Sequence, residues 1–223
     1  VHLPPARVNN MFKDVLSSGA DIMIGDWNTE PTEIYEKSHT VDHKIISMPS
    51  YFPSAGFSNA DYPPEIDCLC TKKPYTCDLQ SDQIKKLQRV KNSPRAQMKD
   101  FPSDHVPVEC IVTKYLCTGW KLNIATWNIS NADNIQFKSA KIGFENKEKT
   151  ERYEKCMDII NKLIYKNDVL CLQEVSTTFL NDYLVPLVQT LNKHIKYEAN
   201  NKEKESSHLV IISNKPITEV STK

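Results

Sequence analysis

The sequence predicts an α/β fold, with helices layered on sheets. Three observations carry this. Short apolar runs of strand length at residues 22–24, 122–126, 169–172 and 208–213 alternate with helix-periodic stretches at 7–18, 150–164 and 175–191. A Thr118-Gly119 turn signal joins apolar runs at 106–112 and 122–126 into a predicted hairpin. Three of the apolar runs finish on polar groups of one chemical kind: Asp26 and Asn28, Asn128, and Glu174.

Taken in order, Val1-His2-Leu3-Pro4-Pro5 reads as a strand end running into a loop. Val8, Met11, Phe12, Val15 and Leu16 recur at helical spacing, and Gly19 stops that helix. Gly25 lets the chain turn after the buried run at 22–24. Residues 30–40 read as a loop with a short helix, and His39 and His43 as solvated loop histidines. Residues 47–64, rich in Pro, Ser, Asn and aromatics, read as irregular, and 65–70 as a short strand. Residues 131–149 are polar and loop-like. The helix at 150–164 turns Tyr153, Cys156, Met157, Ile160, Leu163 and Ile164 inward, and the one at 175–191 is broken near Pro186.

At 223 residues the chain suits one or two domains, and 39% hydrophobic residues are enough for an ordinary core. The formal net charge is zero, so no global basic field captures a polyanion. No apolar run approaches the ~18 residues of a membrane helix, and no apolar insertion loop suited to a lipid stands out. Cys68, Cys70 and Cys77 lack the paired C-x-x-C spacing of a zinc site. Reduced thiols, and with them a reducing compartment such as cytoplasm or nucleus, are the expectation.

Chemistry concentrates at the hairpin. Ser103-Asp104-His105 precedes its first run and Trp127-Asn128 follows its second. An imidazole moves protons near neutral pH, a carboxylate holds a metal or orients that imidazole, and an amide donates to a phosphate oxygen. A rim rich in carboxylates suits Mg²⁺, a hard ion that prefers oxygen ligands. Lys85, Lys86, Arg89 and Lys91 lie in a run, 83–99, with no acidic residue. It reads as a solvated face or as a grip on a phosphate backbone.

Ser103-Asp104-His105-Val106-Pro107-Val108 resembles the closing motif of the endonuclease/exonuclease/phosphatase family, the DNase I-like fold, and Trp127-Asn128-Ile129 resembles its opening motif. Residues 1–117 resemble the family's C-terminal half, through His2-Leu3, Gly25-Asp26-Trp27-Asn28, Ile66-Asp67 and Ser103-Asp104-His105. Residues 118–223 resemble its N-terminal half, through Trp127-Asn128-Ile129, Leu172-Gln173-Glu174-Val175 and residues 207–217. The resemblance implies a four-layered sandwich of two mixed β-sheets flanked by helices, incomplete and in permuted order. It implies a magnesium- or manganese-dependent phosphodiesterase or nuclease acting by in-line water attack. Glu174 resembles the principal metal ligand, with Asn128 beside it and Asp104 near. Asp26 resembles the group that positions the water, and Asn28 a phosphate-orienting amide. His105 resembles the imidazole at the phosphate, Asp67 the carboxylate that orients it, and His2 a second acid.

Departures are visible. Ser130 stands where some branches carry an acid, and Glu65 where a basic residue often precedes Ile66-Asp67. The segment that normally joins the two halves is absent. The reversed order implies a fragment of a tandem protein, with a neighbouring domain in a longer parent, or a circular permutant. The family acts on nucleic acid, phosphoinositide, sphingomyelin and protein–nucleic acid adducts; the run holding Lys85 to Lys91 leans toward nucleic acid. A non-catalytic, partner-binding remnant and a phosphatase for another phosphoester are the alternatives.

Overall fold

A computed structural model of the chain describes residues 14–29, 31–38, 43–47, 67–80, 102–103, 105–129, 146–199 and 207–218. His2, His39, Lys85, Lys86, Arg89, Lys91 and Asp104 lie outside the described residues, as do 48–66 and 130–145.

Strands β1 (Ile22–Asp26), β2 (His43–Ser47) and β3 (Asp67–Lys72) form a small antiparallel sheet in the order β1-β3-β2. Strands β4 (Tyr75–Leu79), β5 (Val108–Lys114), β6 (Lys121–Asn128), β7 (Val169–Val175), β8 (His194–Ala199) and β9 (His208–Ser213) form a six-stranded sheet in the order β4-β5-β6-β7-β9-β8. Only the second sheet is mixed: β6 and β7 run parallel and every other pair is antiparallel. A parallel pair needs a crossover, and helix α2 (Asn146–Lys166) lies in the connection between β6 and β7. The shorter α1 (Pro31–Ser38) follows β1, with Pro31 at its first position, where a missing N–H costs nothing.

Side-chain alternation along the strands builds the layers. Ile24 and Leu69 of the small sheet share a core with Cys77, Cys110, Val112 and Ile124 of the large one. The intervening residues Met23, Cys68 and Cys70 face the other way and pack with Leu16, Trp27 and Ile34. On the far side of the large sheet, Ala125, Trp127, Leu170, Leu172, Val210 and Ile212 meet helix residues. Tyr153, Cys156, Ile160, Leu163 and Ile164 come from α2. Phe179, Leu180, Leu184 and Val188 come from the helical stretch after β7. Two sheets face each other and helices cover their outer faces.

The predicted hairpin forms, with Val108 opposite Thr126 and Val112 opposite Leu122. The large sheet thus takes β4 and β5 from residues 1–117 and β6 to β9 from 118–223. Three strands were missed. β2, β4 and β8 are edge strands, and in β4 only Cys77 is buried, so no apolar run marks them. His43 opens β2 and is half-buried, not in a solvated loop. Helix α2 begins at Asn146, earlier than its apolar face suggests, and the side chain of Asn167 caps its end at Leu163 O.

The predicted break near Pro186 also differs in kind. After α3 (Thr177–Phe179) a π turn spans Leu180–Leu184, and α4 (Val185–Thr190) continues directly. Pro186 has no N–H and its ring would strike the carbonyl of Asp182 in an ordinary helix. Widening the preceding turn, with Val185 N–H donating to Leu180 O, accommodates it without a break.

All seven cysteines are free thiols, and burial pushes the Cys70 thiol up to about 12 and that of Cys156 to about 11. Cys70 and Cys156 are packing residues rather than nucleophiles. Among the described residues no helix is long and apolar enough to cross a membrane.

Leu69 is fully buried between the sheets, whereas Tyr165 on α2 is 70% exposed. Replacing Leu69 by Ala is expected to cost ~2–5 kcal/mol in urea unfolding, through lost transfer and an unfilled cavity. Tyr165→Ala is expected to change stability by about 0.5 kcal/mol or less.

Candidate active site

The site starts from one register position. In the β1–β3 pair Asp26 stands directly opposite Asp67, and both are 1% exposed. Like charges facing each other across a ladder repel, so buried donors must offset the cost. Asn28 N–H donates to Asp26 Oδ1 at 2.8 Å, and Asn128 Nδ2 donates to Asp26 Oδ2 at 2.9 Å. The ring of His105 meets Asp67, with Nδ1 and Oδ2 2.8 Å apart.

His105 itself is anchored from every side. Its N–H donates to Ser103 Oγ at 3.1 Å, and that hydroxyl donates to Asn128 O at 2.7 Å. Its carbonyl accepts from Trp127 Nε1 at 2.9 Å. Arg152, on α2, donates through Nε to Pro102 O and through Nη2 to Ile129 O at 2.8 Å. One buried guanidinium thereby ties the segment before His105 to the residue after Asn128. With Nδ1 held by Asp67, Nε2 points toward Asp26, 4.0 Å from Oδ2. That gap is too long for a direct hydrogen bond and fits one oxygen at about 2.8 Å from each group.

Glu174 reaches the same place from β7. The β7–β9 register shifts between Leu172 and Val175, and Glu174 has φ +54°. Such an irregularity re-aims a side chain. Here it brings Glu174 Oε1 within 3.2 Å of Asn128 Nδ2. A left-handed non-glycine residue costs ~1–2 kcal/mol, and strain of this kind is retained where surrounding structure imposes it. Asn28 is also left-handed, at φ +49°, which Asn tolerates better.

The structure therefore brings together Asp26, Asn28, Asp67, His105, Asn128 and Glu174. Asp26, Asp67 and His105 offer ligand atoms that all lie within 4.8 Å of one another, a buried group able to hold a metal ion. This set differs from the expected Glu174, Asn128 and Asp104. The amide of Asn128 turns its nitrogen, which cannot ligate a cation, toward both Asp26 and Glu174; only its Oδ1 could ligate. Ser103, Trp127 and Arg152 carry positioning roles that the residue pattern did not assign. A signal existed for Arg152: it precedes Cys156 and Ile160 at i, i+4, i+8, a charge on the core stripe of an amphipathic helix. No protein-family model matches the chain, and a search of curated proteins finds no match.

Asn128 separates two carboxylates, so Asn128→Asp should place three together. With all three ionised at pH 7, the variant is expected to lose ~1–3 kcal/mol or more of stability, because Asp26 also loses a buried donor. Proximity of like charges raises carboxylate pKa values, so protonation relieves the repulsion as pH falls. The stability difference from the parent chain should shrink between pH 7 and pH 5. Urea unfolding at the two pH values measures it, and a difference that widens toward acid contradicts the account.

Proposed function

We propose that the chain is a magnesium-dependent phosphoester hydrolase of the endonuclease/exonuclease/phosphatase type, in which residues 1–117 and 118–223 jointly form one site. A phosphodiesterase or nuclease activity is the favoured form. The observation that carries the reading is the convergence of Asp26, Asp67, His105, Asn128 and Glu174, from both segments, with Asp67 2.8 Å from the His105 ring. Isolated polar strand ends are common; five such groups meeting in one cluster, four of them buried, are not.

In this reading Asp67 accepts from Nδ1–H and fixes the ring, so Nε2 faces the gap before Asp26. Asp26 orients a water there and takes its proton as the water attacks phosphorus in line. Protonated His105 donates from Nε2 to a phosphoryl or leaving oxygen on the substrate. Asn28 orients a phosphate oxygen. Glu174 and Oδ1 of Asn128, with Asp104, would hold the magnesium ion, which when bound neutralises charge on a phosphoryl oxygen. His2 is a second candidate acid. Lys85, Lys86, Arg89 and Lys91 favour a nucleic acid as the substrate.

His105→Ala is expected to lower metal-dependent hydrolysis of a phosphodiester by ~10²–10³ with little change in Mn²⁺ affinity, and Asp67→Asn to give a smaller version of that defect. Glu174→Gln should weaken Mn²⁺ binding far more than it lowers the unfolding midpoint. Calorimetric titration beside the hydrolysis assay reads both. If His105→Ala weakens Mn²⁺ as much as Glu174→Gln does, the ion belongs on Asp26, Asp67 and His105. Hydrolysis by His105→Ala at the parent rate removes the catalytic reading and leaves a partner-binding protein.

A further inference from the structure

The opposite end of the large sheet carries a feature that the catalytic reading does not use. The loop between β5 and β6 exposes Leu116 to 86%, Tyr115 to 69% and Trp120 to 38%. No apolar insertion loop stood out in the sequence, because these residues are interleaved with Lys114, Cys117, Thr118, Gly119 and Lys121.

The tip is a built structure. Tyr115 N–H donates to Pro74 O at 2.7 Å, Cys117 N–H to Lys114 O at 3.2 Å and Trp120 N–H to Cys117 O at 3.3 Å. Trp120 packs on Tyr75, ring centroids 5.5 Å apart, and Lys114 Nζ lies 5.6 Å from the centre of the same Tyr75 ring. Leu116 at the apex has φ +63°. A leucine in that conformation opposes folding and gains nothing back from burial. Folding alone gives no reason for it.

Among the described residues lysines outnumber carboxylates around the tip, where Asp21 lies beside Lys72, its carbonyl accepting from the Lys72 N–H at 2.9 Å, and Asp168 lies beside Asn123 at the same end of the sheet. Lys72 ends β3 and Lys73 opens the adjoining β3–β4 turn, and Lys114 and Lys121 flank the loop. Neither 71–77 nor 110–121 contains an acidic residue. The carboxylates Asp26, Asp67 and Glu174 sit at the other end of the strands. Strand β6 separates the two ends, and its length from Lys121 to Asn128 is about 23 Å.

We propose that this tip docks on an anionic lipid bilayer surface. Trp and Tyr rings favour the headgroup level, an apex leucine reaches the acyl boundary, and lysines pair with anionic headgroups. The size of the patch favours a bilayer over a protein. A specific protein interface takes about 800 Å² from each partner, more than three side chains and their neighbours supply. Because the tip and the carboxylate end are opposite, a docked molecule turns its site away from the membrane. The phosphoester it would accept is then in solution, not a lipid of that bilayer.

The test uses the full chain and vesicles of phosphatidylcholine with or without phosphatidylserine. Co-sedimentation is expected with the mixed vesicles at low salt, to fall with added salt, and to be absent with pure phosphatidylcholine. Trp27 and Trp127 are fully buried, so a blue shift of emission on adding vesicles reports Trp120. Leu116→Ser should weaken binding on the order of tenfold or more, through lost apolar burial. Lys72→Ala with Lys73→Ala should weaken it by roughly 25-fold, at about fivefold per lysine. Unchanged unfolding midpoints would show that both variants fold. No binding to mixed vesicles, equal binding to both kinds, or binding indifferent to Leu116→Ser overturns the proposal. Concentration-dependent dimerisation that Leu116→Ser abolishes also overturns it, in favour of a second copy of the chain. None of these readouts depends on hydrolysis.

Discussion

Everything at the site depends on the antiparallel pairing of β5 with β6. Val108 opposite Thr126 sets the register in which His105 and Asn128 leave neighbouring strands at the same end. The pairing is internally rewarded: Val108, Val112 and Ile124 are buried, and Trp127, continuing β6, donates its indole hydrogen to the carbonyl of His105. A slip of one residue would turn every one of these side chains to the opposite face. The buried hydrophobic faces therefore fix the position of the imidazole as firmly as its own hydrogen bonds do.

Around that pairing the site is arranged as alternating donors and acceptors. Asp67 faces His105, Asp26 faces Asn128 and Asn28, and Asn128 faces Glu174 as well. No buried carboxylate in this chain of contacts stands without a donor, which is what allows several of them to share a low-dielectric place. Arg152 contributes from the helix layer. It closes carbonyls that would otherwise point into the space between the helix and the loops.

Central elements were legible because their burial leaves a continuous apolar run, as at 169–172, or a sharp turn signal, as at Thr118-Gly119. Edge strands were not, since β4 and β8 hide few side chains. The polar ends of β1, β6 and β7 were readable as a set because Asp26, Asn128 and Glu174 each follow such a run. Their partners were less so. That Asn128 would bond Asp26 depends on how the two sheets face each other, and that Ser103 would bond both the N–H of His105 and the carbonyl of Asn128 depends on how the segment before β5 lies against the end of β6. The helix at 175–191 shows the limit of residue-by-residue punctuation: Pro186 signals a stop, while the backbone has the further option of one wider turn.

The hydrogen bond from Asn128 to Asp26 spans 102 positions of the chain, that from Asn128 to Glu174 spans 46, and that between His105 and Asp67 spans 38. Contacts this remote in sequence require loops to close before they return any free energy, so they form slowly. Partly folded chains with α2 intact and β6 paired to β7 would still lack Asp26 beside Asn128. Occupancy of the site is therefore a readout of completed folding, and any ligand that binds there draws the population toward the fully assembled state by mass action.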